Sequence, residues 1–170
     1  MIPMKRLAAL VAVLLFAFCP SSCGSDQVDL SDYPWELEEY TKTIENLDEN
    51  ITIRFADGTL TADGATVILE NAGDEDFHYG HGYHIYLKAN GKLYRLPVPE
   101  NIGWPAELLT VPAHDSVTTD CTWSQIYGSL PAGQYLYVIN SFSFEPDSVL
   151  NMRSVVDSNP YCVVCEFEIT

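Results

Sequence analysis

From residue 51 onward, apolar and polar positions alternate in short runs broken by turn residues, the pattern of an antiparallel β protein. Residues 51–55 read Ile-Thr-Ile-Arg-Phe, and Asp57-Gly58 and Asp63-Gly64 mark the turns that follow. A second strand is predicted over 65–70, closed by Asn71-Ala-Gly73. Segments 83–89 and 92–98 flank Asn90-Gly91, a dipeptide whose ease at positive φ makes it the strongest short hairpin signal. Residues 116–123 put Val117, Thr119, Cys121 and Trp123 on one face. A long apolar strand follows over 134–144. The last, over 161–170, turns Val163, Cys165, Phe167 and Ile169 inward against Glu166 and Glu168. About seven antiparallel strands in the last 120 residues predict an all-β fold, a sandwich rather than a closed barrel.

Ahead of this region the periodicity is different. Leu37, Tyr40, Ile44 and Leu47 recur at helical spacing, Pro34 suits a first turn, and Glu36, Glu38 and Glu39 complement a helix dipole. A short amphipathic helix is therefore predicted within an acidic tether, residues 23–50, whose part after Cys23 holds nine Asp/Glu and one Lys. Earlier still, Lys5 and Arg6 precede an unbroken apolar run of 12 residues, 7–18. A membrane span needs about 20 such residues, so this run reads as the core of a secretory signal, residues 1–22. Ser21 and Ser22 then lead to Cys23, which resembles the lipobox of bacterial lipoproteins. That resemblance implies that Cys23 becomes the lipidated first residue of the mature chain. Plain secretion with cleavage near Ser22 is the alternative.

Charge narrows the partners. The chain carries 8 Lys+Arg against 24 Asp+Glu, a formal charge of −16. Removing residues 1–22 takes away Lys5 and Arg6 and leaves six basic residues and a charge of −18. Nothing in such a chain would neutralise a phosphate backbone, so nucleic acid is not expected as a partner. Anionic lipid would not attract the domain either, and a membrane would be reached only through a lipid anchor.

Leu130-Pro-Ala-Gly133-Gln-Tyr135 places a tyrosine at the start of the long strand, where a tyrosine corner would tie its phenol to backbone a few residues upstream. Two residues on stands Tyr137, so no disulfide of the antibody type is expected between the sheets. Together with Tyr79-Gly80, Tyr83-His-Ile-Tyr-Leu87, Leu109-Thr-Val-Pro112 and the run 123–135, this segment resembles the bacterial immunoglobulin-like domains of exported and membrane-attached proteins. The resemblance implies an immunoglobulin-like sandwich over 51–170 and a surface setting. It brings no catalytic residues.

Candidate chemistry is sparse. His78, His81 and His84 lie close together beside Asp74-Glu75-Asp76, and imidazoles with carboxylates are ligands for zinc or copper. Gly80 and Gly82 interrupt that run and His84 falls on the next strand, so loop and strand-end histidines are expected rather than a metal centre. Asp74-Glu75-Asp76 lacks the spaced ladder of a calcium loop and reads as a solvated turn. Cys162 and Cys165 have redox-motif spacing, but a strand points them to opposite faces. Cys121 and Cys165 both face inward by pattern, and a disulfide between them is predicted for an exported chain. Segment 145–160 joins the last two strands and carries Val149, Met152, Val155 and Val156 at near-helical spacing.

The expectation is thus a non-catalytic interaction module, exported and held at the outer face of the cell membrane by Cys23, with no cofactor. Its partner would be an envelope protein or a glycan, met through Val149, Met152, Trp104 or Tyr79, the last two predicted in loops. Two alternatives are a metal-dependent envelope enzyme or metal-binding protein using His78, His81 and His84, and a structural spacer.

Overall fold

Alternation over the C-terminal two thirds resolves into strands that bury one side chain in two. The computed structural model describes residues 27–44, 46, 49–141 and 162–170. The expected signal segment, Cys23, Val149 and Met152 lie outside the described residues. Among those described there are nine strands: β1 (Glu38–Tyr40), β2 (Ile51–Phe55), β3 (Ala65–Asn71), β4 (Phe77–Ala89), β5 (Lys92–Arg95), β6 (Leu108–Val111), β7 (Asp115–Cys121), β8 (Gly133–Ser141) and β9 (Cys162–Ile169). A one-turn helix, α1 (Ser124–Tyr127), and a 3-10 turn at Leu30–Asp32 complete the set. No described helix is long and apolar enough to cross a membrane.

The strands form two antiparallel sheets, β1-β5-β4-β8-β9 with β6 also on β4, and β2-β3-β7. Their inner faces make one core, with Trp123, Tyr135, Ile85, Leu87, Leu96 and Val111 fully buried. At about 1.5–3 kcal/mol for each large apolar side chain removed from water, these residues dominate stability. The Asn90-Gly91 hairpin forms as expected: Asn90 has φ 53° and Gly91 φ 72°, both positive as a type I′ turn requires.

The tyrosine corner is present. Tyr135 is fully buried, and its hydroxyl donates to the Pro131 carbonyl at 2.8 Å, pinning the crossover into β8. Tyr135→Phe keeps the ring and deletes this one bond, so a loss of about 1 kcal/mol is expected, read as a lower urea midpoint with an unchanged denaturant slope.

A second fastener lies at the opposite end of the sandwich. Asn71, 3% exposed, is the one buried polar side chain among the described residues. Its amide nitrogen donates to the carbonyls of Glu75 (2.8 Å), Val111 (3.1 Å) and Pro112 (3.2 Å), while its oxygen accepts from the Gly73 N–H (2.9 Å). One amide thereby joins the β3–β4 and β6–β7 turns. Asp76 adds to the tie by accepting from the Ala113 N–H, and Asp74 pairs with His114 at 3.0 Å. The acidic turn over 74–76 is a structural fastener between neighbouring turns.

Among the described residues of 37–47 the predicted helix is not formed. Glu38–Tyr40 instead adds strand β1 to the edge of β5, and Lys92 pairs with Glu39. The helical spacing is real but its side chains serve two surfaces. Leu37 packs on the main core, whereas Tyr40 and Ile44 cover Tyr86, Leu136 and Val138 on the outer face of the larger sheet. The Tyr40 ring sits edge-on to Tyr86 at 4.9 Å. A free edge and an apolar patch both within reach outweigh a marginal isolated helix. The described part of the tether therefore lies against the sandwich. β6, absent from the expected strands, is a short edge piece alongside the first half of β4.

Candidate functional site

The two sheets approach each other along β2 and β9. On the other side β6 and β7 leave room, and there a pocket of about 360 Å³ enters the sandwich. Its walls come from chain segments far apart in sequence. Tyr79 and Tyr83 are supplied by β4, Tyr137 by β8, Cys121 by the end of β7, Gln125 by α1, and Trp104 by the β5–β6 connection.

Local sequence explains the shape. Gly80-His81-Gly82 interrupts the β4–β8 register between Tyr79 and Tyr83, a bulge that bends the strand without ending it. At Gly82 a Cβ would lie in contact with the Trp104 ring, at 3.4 Å, so Trp104 packs directly over the strand at this glycine. Trp104 then rests on Tyr83 with ring centroids 5.0 Å apart, and Tyr83 stacks on Tyr137 at 5.0 Å. A three-ring wall results, half-exposed at Trp104 and buried at the two tyrosines.

The phenols and the thiol of this pocket are neutral, while His81 and Asp120 also stand on its lining. Burial pushes the Tyr83 and Tyr137 phenols far above their ordinary range, with Cys121 beside both as the next cause. Burial also raises Tyr79. The Tyr137 hydroxyl donates to the Cys121 sulfur at 3.6 Å, and burial raises that thiol too. A thiol held protonated is a poor nucleophile. The pocket therefore offers aromatic faces, hydroxyl donors and the Gln125 amide, with the Asp120 carboxylate and the His81 ring beside them. Such a lining suits a polar ring or a neutral or cationic side chain better than an anion.

Several expectations change here. Tyr79 is not a loop residue: it lies in β4, 7% exposed, because β4 runs on through its glycines. Trp104 does lie in a connection, at the pocket mouth. The expected Cys121–Cys165 bridge is not formed, and both sulfurs are unbridged. Both residues pack against the inner core as the alternation implies, but Tyr137 stands opposite Cys165 in register and reaches Cys121 with its hydroxyl. The length of that side chain lies between two sulfurs whose Cα atoms would have to come within about 7 Å. Cys162 packs on the outer face, opposite to Cys165.

The three histidines are not brought together. His78 Nδ1 meets the Thr110 hydroxyl at 3.0 Å, and His81 Nε2 pairs with Glu107 at 3.1 Å. His84 is half-buried on the outer face of β4, with Arg95 Nη2 within 3.1 Å of its ring nitrogens. Burial first, and the Arg95 charge second, lower its pKa to about 4. Among the described residues no three His, Cys, Asp or Glu side chains form a metal-binding group.

Sequence reasoning named Trp104 and Tyr79 but missed Tyr83, Tyr137 and Gln125 as their companions. The alternation did assign Tyr83 and Tyr137 to strands, and only the pairing of β4 with β8 shows that their rings meet.

Comparison with known families matches residues 47–148 to the model described as bacterial Ig-like domain. No curated protein matches the chain.

Proposed function

The chain belongs to the bacterial Ig-like domain family, and from that membership we propose that it is a non-catalytic accessory or interaction module of the cell envelope, exported and anchored through a lipid on Cys23. Its partner is an envelope protein or glycan. The observation that carries the recognition site is the pocket between β6 and β7, an aromatic cleft with Trp104 at its mouth. Tryptophan on a rigid scaffold, with one part packed and another exposed, is the kind of side chain that dominates binding energy. The net charge of −18 after removal of residues 1–22 favours neutral or cationic partners over anionic wall polymers. Residues 142–161, with Val149 and Met152, connect β8 to β9 and supply the second candidate contact.

The test is binding of the full-length protein to muropeptide and saccharide fragments of the wall and to detergent-solubilised envelope proteins. A saturable partner is expected, with Trp104→Ala weakening it roughly tenfold or more, about 1.4 kcal/mol. Binding to neither class would leave the module as a spacer. Equal binding by wild type and Trp104→Ala would remove the pocket from recognition.

A further inference from the structure

The described N-terminal stretch is fastened to one pole of the sandwich from its first residues. The Val28 N–H donates to Asn90 Oδ1 at 2.9 Å, and Asn90 Nδ2 donates back to the Val28 carbonyl at 3.0 Å. The Tyr33 hydroxyl donates to the Ala132 carbonyl at 3.3 Å, and Trp35 Nε1 to the Tyr127 carbonyl at 3.0 Å. Leu30, Tyr33, Trp35 and Leu37 pack on the main core. These attachments gather around the β4–β5 hairpin and the start of β8. The end of β9 lies at the same pole, since Ile169 pairs with Gly133 and Lys88 with Gln134.

Four residues separate Cys23 from Val28, five steps along the chain. Whatever their course, those five steps span no more than about 18 Å, at up to 3.6 Å per step. Resting on the reading of Cys23 as the lipidated residue, we propose that the domain stands on the membrane in one sense, with the Asn90-Gly91 hairpin facing the lipid headgroups and the β3–β4 and β6–β7 turns facing away.

The strap sets this sense, and surface charge does not. Lys88 and Lys92, the basic residues at this pole, are paired with Glu166 and Glu39. The surrounding charge is negative, so anionic headgroups would not hold the pole down by attraction. The thirteen residues of β4 place the far pole about 40 Å higher, at about 3.3 Å per residue. Ser141 and Cys162, the ends of β8 and β9, lie at that far pole, so the 142–161 connection departs from and returns to the side facing away.

The inference is tested on the anchored full-length protein reconstituted into liposomes with quencher-labelled headgroups. An azide-bearing residue at Thr170 or at Glu75 receives the dye by click reaction. Strong quenching is expected at position 170 and little at 75. Inserting twenty Gly/Ser residues between Asp26 and Gln27 should remove more than half of the signal at 170. Equal quenching at both positions, in protein whose N-terminal peptide carries the acyl mass, overturns the orientation and leaves the anchor standing. An N-terminal peptide without that mass overturns the lipidation reading, and the orientation falls with it.

Discussion

Trp123→Ala is expected to destabilise the domain by about 3–5 kcal/mol, the range for deleting a large aromatic side chain from a packed core. Trp123 is fully buried and is the meeting point of the two sheets. Its ring lies 5.4 Å from Phe167, 5.9 Å from Phe55 and 6.5 Å from Tyr137. Its Nε1 also donates to the Ala62 carbonyl at 2.8 Å, so alanine would leave a cavity and an abandoned acceptor together. The residue stands immediately before α1, where the chain leaves β7 for the loop to β8, and its loss would loosen both. Domains of this size hold about 5–15 kcal/mol in all, so the variant should sit close to its unfolding midpoint at growth temperature. Urea titration followed by far-ultraviolet circular dichroism reads the effect. Trp123→Phe, which keeps a ring and drops the N–H, should lose less than half as much. A loss below about 1 kcal/mol for the alanine variant would show that Trp123 is not what holds the two sheets together.

The second large effect is a dependence on acid. The unfolded chain protonates His84 near 6.5, whereas the folded domain resists until about 4, because burial and then the Arg95 charge oppose a second cation. A depressed folded pKa means that the stabilisation is complete above pH 6.5. It is lost progressively as pH falls from about 6.5 to about 4, and nothing further is lost from this group below that. Two and a half pKa units correspond to about 3 kcal/mol in total, of which about 2 kcal/mol should be gone by pH 5. His84→Gln keeps a neutral polar side chain beside Arg95 and removes the titration. The difference between wild type and variant should therefore widen in favour of the variant by about 2 kcal/mol between pH 7.5 and 5. Parallel stability curves across that interval would mean that His84 takes its proton without resistance. Both groups sit between β4 and β5, next to the edge that β1 extends, so early acid-induced exchange is expected in the strap over 38–40.

Much of this fold was legible in the chain because each long strand carries its own instruction. Ile51 and Ile53, Val67 and Leu69, and Phe167 and Ile169 alternate with polar neighbours and face the core as that pattern requires. Asn90-Gly91 and Tyr135 are local signals too, completed within a few residues. The two strands that escaped, β1 and β6, are three and four residues long and exist only because a neighbour's edge is free. Leu37, Tyr40 and Ile44 looked helical because two different surfaces, one inside and one outside the larger sheet, happen to need apolar cover at that spacing. Gly80 and Gly82 suggested a break where there is a bulge. The pocket was hardest to see. Trp104 could be singled out as an aromatic in a connection, but the pocket it shares with Tyr83, Tyr137 and Cys121 depends on the packing of β4, β7 and β8, which no local window contains.

The most direct measurement is photocrosslinking in intact cells from the lip of the pocket. A photoreactive residue replaces Gln125 in the full-length protein, and the membrane fraction is analysed by mass spectrometry. The same residue at Thr52, exposed on β2, serves as the control surface. A single reproducible envelope protein or glycan adduct at 125, absent at 52 and abolished by Trp104→Ala, is the result expected of an envelope module that recognises its partner through the aromatic pocket. Identical adducts from both positions, or adducts that survive Trp104→Ala, would contradict it.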